Sequence, residues 1–166
     1  MVGMLLLVDG YNVTMRDPAT SGRSKETQRE ELLARLRVHA ARLAPGGETV
    51  VVFDAHDSLG RSSGTERPVR AVFSAVADDE IVRRCHLAKG KVAVVTDDLR
   101  LRSRISQDVG RHVEYRDGSS VYAETLAAAS RAAGSRRAPV AREGGLPRGA
   151  NEITRELKDL WLSEDD

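Results

Sequence analysis

The chain has 166 residues, room for one domain of ordinary size and a tail, and 40% of them are hydrophobic. Aromatics make up only 4%, which excludes an aromatic-rich β-sandwich and leaves Leu, Val and Ala to fill the interior, as in helices packed over a parallel sheet. With 26 basic and 25 acidic residues the net charge is +1, which excludes a chain whose overall field draws in nucleic acid, although 22 of the basic residues are Arg, the better bidentate partner for phosphate.

The run Leu5-Leu6-Leu7-Val8 is too short to span a membrane and reads as a buried parallel strand with Asp9 at its carboxyl end, where open α/β sheets build their ligand crevices. Gly10 is read as a sharp turn, Asn12 adds an oxygen three residues on, and residues 14–24 read as a polar loop. No basic leader precedes Leu5 and no apolar stretch of ~20 residues follows, so a cytoplasmic protein is expected. Thr27 and Glu30 have capping-box spacing before an apolar face of Leu32, Leu33, Leu36, Ala40 and Leu43, which predicts a helix to about residue 44. Residues 49–53 form a second β-branched strand ending on Asp54, and residues 55–68 a long polar loop containing Arg61 and Arg67.

Residues 69–74 predict a third strand, followed at once by Asp78, Asp79 and Glu80 at the start of a helix. The helix dipole favours acids there, so a capping role for Asp78 competes with a functional one. Cys85, the only cysteine, allows no disulfide and no cysteine zinc site, and reads as a small buried hydrophobe. Residues 92–95 are a fourth strand closing on Thr96-Asp97-Asp98, before a helix marked by Leu99, Leu101 and Ile105. Residues 112–115 give a short fifth strand and 121–133 an Ala-rich helix. The expected architecture is α/β, a three-layer domain whose central, mainly parallel sheet of about five strands carries helices on both faces. Its bounds are 1–133, followed by an Arg/Gly/Pro linker over 134–150 and a short helix with an acidic tail over 151–166.

Asp9, Asp78 with Asp79, and Asp97 with Asp98 all fall at carboxyl ends of strands, and neighbouring strands are ~4.8 Å apart, so these acids can meet. Carboxylates brought together repel unless a cation neutralises them, and an oxygen-only donor set selects Mg²⁺ or Mn²⁺. Beside a phosphodiester such an ion activates water and stabilises the leaving oxygen, which is nuclease chemistry. The competing readings lack their residues. Tyr11 stands where a haloacid-dehalogenase phosphatase needs its second Asp, and there is no P-loop, no serine-hydrolase elbow and no paired acid for a receiver domain. His39, His56, His86 and His112 have no metal-ligand spacing.

Val8-Asp9-Gly10-Tyr11-Asn12, Val52-Phe53-Asp54-Ala55, Ala77-Asp78-Asp79-Glu80-Ile81 and Val95-Thr96-Asp97-Asp98 resemble the successive motifs of the YacP-like branch of NYN domains, within the PIN-like nuclease group. The resemblance implies a metal-dependent endoribonuclease, in a branch that includes ribosome-associated enzymes acting on mRNA. It carries Asp9, Asn12, Asp78 and Asp98 over as the site. Family members commonly have Thr-Ser-Asp where this chain has Thr96-Asp97-Asp98, so Asp98 is the matched acid and Asp97 an additional one.

Asp9, Asp78 and Asp98 are therefore the expected metal ligands and Asp54, Asp79 and Asp97 second-line candidates, with Asn12 and Thr96 expected to position water or phosphate. Arg61, Arg67 and Arg100 are the expected substrate contacts, within a rim that includes Arg70, Arg102 and Arg104. The expected partners are RNA, in particular mRNA, and the ribosome. The rival class is a non-catalytic RNA- or ribosome-binding module on the same fold, which metal-dependent turnover distinguishes.

Overall fold

A computed structural model of the protein describes residues 3–57 and 66–136. Five strands form one wholly parallel sheet in the order β3-β2-β1-β4-β5: β1 (Leu5–Asp9), β2 (Glu48–Asp54), β3 (Val69–Ser74), β4 (Val92–Val95) and β5 (Glu114–Arg116). Parallel pairing demands that the chain cross back over the sheet between successive strands, and the helices make most of those returns. The helices are α1 (Gly10–Arg16), α2 (Lys25–Leu43), α3 (Ala77–Leu87), α4 (Leu99–Asp108) and α5 (Ala123–Arg136).

Two-residue alternation divides the strands between two cores. Leu6 and Val8 of β1, Val51 and Phe53 of β2 and Ala93 and Val95 of β4 face Leu32 and Leu36 of α2 and Leu126 of α5. Leu7, Val50, Val52 and Val94 face Ile81 and Cys85 of α3 and Leu101 and Ile105 of α4. Leu6, Leu7 and Val8 are fully buried, each such side chain contributing about 1.5–3 kcal/mol of apolar burial. The expectation of helices on both faces of a parallel sheet holds, and so does a buried Cys85, whose thiol burial pushes up to about 11.

The local boundaries differ in three instructive places. No loop follows Asp9: Gly10 opens α1 directly, and only residues 17–24 remain irregular. Gly10 has no left-handed backbone; it is required because a Cβ there would stand 2.3 Å from Cε1 of the buried Phe53 ring. Gly10→Ala is therefore expected to destabilise by about 1–3 kcal/mol through overpacking, read as a lowered thermal midpoint. Helix α2 begins earlier than the Thr27 and Glu30 spacing suggested, because Ser24 is the cap and its Oγ accepts from the Thr27 amide at 3.2 Å. Helix α5 runs through Gly134 to Arg136, where a linker was expected.

The first compact unit ends at Ala129; the second, from Ser130, is described only over the end of α5. The linker and tail expected beyond residue 136 lie outside the described residues, as does Arg61. Among the described residues no helix is long and apolar enough to cross a membrane.

Candidate active site

The strand order reverses between β1 and β4: the chain runs outward one way through β2 and β3 and the other way through β5. In a parallel sheet the helices diverge at such a switch point and leave a crevice at the carboxyl edge. Asp9 ends β1 on one side of it, and Thr96-Asp97-Asp98 follows β4 on the other.

Thr96 binds the two sides together. It is fully buried; its hydroxyl donates to Asp9 Oδ2 at 3.0 Å and accepts from the Asp98 amide at 3.1 Å. Thr96 was expected to position water or phosphate; in the structure its hydroxyl is spent on orienting Asp9. Thr96→Val should leave a buried carboxylate oxygen and an amide without partners, costing about 1–3 kcal/mol in urea denaturation, and Thr96→Ser should recover most of it. Asn12, on the first turn of α1, accepts from the Asp97 amide at 2.9 Å and lies 3.4 Å from the Thr96 hydroxyl, tethering α1 to the same turn.

Asp9 is 8% exposed, and burial raises its carboxyl to about 6; the charges of Asp78 and Asp98 push the same way, while the Thr96 hydroxyl and the nearby Asn12 amide pull it back. Asp78 is raised by burial and then by Asp98, with Arg104 opposing. The reading of Asp78 as a helix cap fails, since Val76 holds that position and no side chain caps α3. Asp98 does cap: its Oδ1 accepts from the Arg100 amide at 2.8 Å and the Leu101 amide at 3.4 Å. The crevice thus brings Asp9, Asp78 and Asp98 within electrostatic reach of one another.

The other expected residues are arranged differently. Asp97 is engaged elsewhere: it accepts from the Gly118 amide at 3.1 Å, in a contact so close that a Cβ on Gly118 would lie 2.6 Å from its Oδ2. Asp79 is exposed and paired with Arg104 at 2.6 Å. Asp54 accepts from the His56 amide at 3.1 Å but still contributes to the charge felt by Asp78. Arg67 is placed wrongly for a rim: it precedes β3 and lines a cleft of about 440 Å³ with Gly3, Gly47, Glu48 and Lys89 at the amino-terminal edge, opposite the acids. Arg70 pairs with Glu48 at that same edge. Arg100 is exposed at the start of α4, beside Asp98.

Arg102 was expected on the rim and is instead a brace. Its guanidinium donates to the Thr96 carbonyl through Nε at 2.9 Å and Nη2 at 2.5 Å, and its Nη2 also reaches the Arg116 carbonyl at 3.3 Å and Asp117 at 2.8 Å. Nothing in the sequence signalled this, because most of the acceptors are backbone oxygens that any residue supplies.

Among the described residues no group of three His, Cys, Asp or Glu side chains is drawn together as a ready metal shell. The donor chemistry nevertheless suits a hard divalent ion: oxygens only, with two of the three carboxyls raised by burial and by mutual repulsion that a cation would relieve.

The five-stranded parallel sheet, with aspartates at the β1/β4 crevice, is the α/β arrangement of the PIN-like nuclease group. Over residues 6–117 the chain matches the YacP-like NYN domain, and it belongs to that family. Its structure is similar to that of Rae1 (YacP) from Bacillus subtilis, solved as a tryptophan-to-leucine mutant, with a TM-score of 0.62 and 21% identity over 82% of this chain and 81% of that one. No curated protein matches.

Proposed function

We propose that this protein is a metal-dependent endoribonuclease that hydrolyses RNA phosphodiester bonds. The observation that carries the reading is the placement of Asp9, Asp78 and Asp98 about the β1/β4 crevice, where Asp78 and Asp98 raise the Asp9 carboxyl and Asp98 raises that of Asp78. Membership of a nuclease family supports it.

Asp9, Asp78 and Asp98 would hold Mg²⁺ or Mn²⁺, which when bound supplies an activated water and charge stabilisation at the leaving oxygen. The rest is done by the chain. Thr96 fixes the rotamer of Asp9, the first amides of α4 fix Asp98, and Asn12 holds the β4–α4 turn against α1. Arg100, one residue beyond the first residue of α4, is the cation nearest in sequence to the acids of that turn and is assigned to a substrate phosphate. Arg67 has no part in this reading.

The test is incubation of purified protein with labelled RNA in Mn²⁺, Mg²⁺ or chelator. Internal cleavage with either metal and none with chelator is expected; RNA binding without metal-dependent turnover would favour the non-catalytic module. Within the class, we propose mRNA on the ribosome as the substrate and hence a cytoplasmic location, a reading the family resemblance supports. Co-sedimentation with ribosomes checks that assignment independently of cleavage.

A further inference from the structure

Buried and half-buried arginines in this fold are matched with strong acceptors. Arg35 reaches Asp17 at 2.6 Å and the Val121 carbonyl, Arg84 reaches Glu80 at 2.7 Å, Arg102 has Asp117 and two carbonyls, and Arg111 has the carbonyls of Ala88 and Gly90. Arg116 has Glu114 and the Leu43 carbonyl. Arg29 breaks the pattern. At 5% exposure it is the most enclosed arginine described, yet its guanidinium donates to one neutral oxygen, Tyr11 Oη at 2.6 Å. Among the described residues no carboxylate or carbonyl accepts from it. A cation withdrawn from water with no anion for it among the described residues is held at a cost that a native fold rarely carries without use.

The position is informative. Tyr11 lies two residues after Asp9, and Arg29 sits 5.8 Å over the ring of Phe73, which stands in register with Phe53 one residue before the ends of β3 and β2. The Tyr11 and Phe53 rings are 5.1 Å apart and those of Phe53 and Phe73 5.6 Å, so an aromatic floor runs from α1 across β2 to β3 beneath Arg29. Lys25, one turn earlier on α2, sets its ammonium 4.2 Å over the Tyr11 ring. Both cations therefore belong to the carboxyl edge that carries the acids, and Arg29, over a β3 ring, is displaced from Asp9 by one to two strand spacings, roughly 5–10 Å.

We propose that Arg29 receives a backbone phosphate of the RNA, one flanking the scissile linkage, with Tyr11 fixing the guanidinium for it. The inference rests on the nuclease reading, since it extends the same site along the strand. A planar fork held at one nitrogen by a phenol leaves its remaining donors for the two oxygens of a phosphodiester.

The experiment measures binding of a fluorescein-labelled single-stranded RNA to the Asp9→Asn protein across a salt series, alone and with Arg29→Gln or Arg29→Lys added. Arg29→Gln should weaken binding about tenfold, the effect of one charge-assisted hydrogen bond, and lower the slope of log affinity against log salt by about 0.7. Arg29→Lys should keep most of the slope. Unchanged affinity and slope in a folded Arg29→Gln protein overturn the assignment. Should that variant not fold, RNAs with a neutral methylphosphonate at each linkage decide: one flanking linkage should lose about tenfold, less so with Arg29→Lys, and no sensitive flanking linkage overturns it. Cleavage by the unaltered chain is scored separately. Turnover with Arg29-independent binding sinks this inference alone, and Arg29-dependent binding without turnover sinks the nuclease reading alone.

Discussion

Asp9→Asn is expected to abolish RNA cleavage while raising the melting temperature of the metal-free protein at neutral pH. The Asp9 carboxyl titrates near 6 in the fold against an ordinary 3.8. Between those values the folded chain holds a proton that the unfolded chain has released, so its contribution to stability is greatest below about pH 4 and is lost as pH rises through about 6. That rise corresponds to about 3 kcal/mol of stability lost at pH 7.5, where this carboxylate, 8% exposed, must be buried charged. Asparagine can still accept from Thr96 and carries no charge to bury. Calorimetry in chelator should therefore show the variant melting higher at pH 7.5, by on the order of 10 °C, with the advantage vanishing toward pH 4. Mn²⁺ should raise the midpoint of the unaltered protein and leave the variant unmoved. A variant that melts lower than its parent at neutral pH would show that Asp9 is held for the fold.

Asp98 separates two roles that one side chain performs together. As the cap of α4 it satisfies two amides, and as a charge it faces Asp9 and Asp78. Asp98→Ala should lose both, at a cost of about 0.5–2 kcal/mol in stability and at least a hundredfold in cleavage, about the upper end seen when the support of a metal ligand is removed. Asp98→Asn caps nearly as well and should restore the melt without restoring activity. Circular dichroism melts beside a cleavage time course with the same RNA check both. Equal activity in the Asn variant would mean that the carboxylate serves only the helix.

The core of this fold was open to reading because its signal is local. Four apolar runs broken by helical periods leave few arrangements other than a parallel sheet between helices, and the acids that follow them announced the crevice. What stayed hidden depended on order in space. Strand order is not written in any one strand, so the pairing of β1 with β4 that sets Asp9 beside Thr96 could not be read. Asp97 and Asp98 are chemically alike and adjacent, yet one grips Gly118 and the other faces the acids. Arg67 looked like a rim residue because it belongs to a long loop, but a loop that crosses from the end of β2 to the start of β3 visits both edges, and Arg67 comes at its far end. Arg29 fell on the apolar side of α2, where the helical period gave no reason to single it out.

One of the two edge strands, β5, is only three residues long, and its ladder to β4 is correspondingly brief. Arg102 adds to its attachment, its guanidinium joining Arg116 and Asp117 to the Thr96 carbonyl. Fraying of that border is therefore mechanically linked to the turn that seats Asp98: amide hydrogens at Thr96 and Asp98 should exchange in step with those of β5, and a pull on the sheet's margin would be transmitted to the spacing of the aspartates.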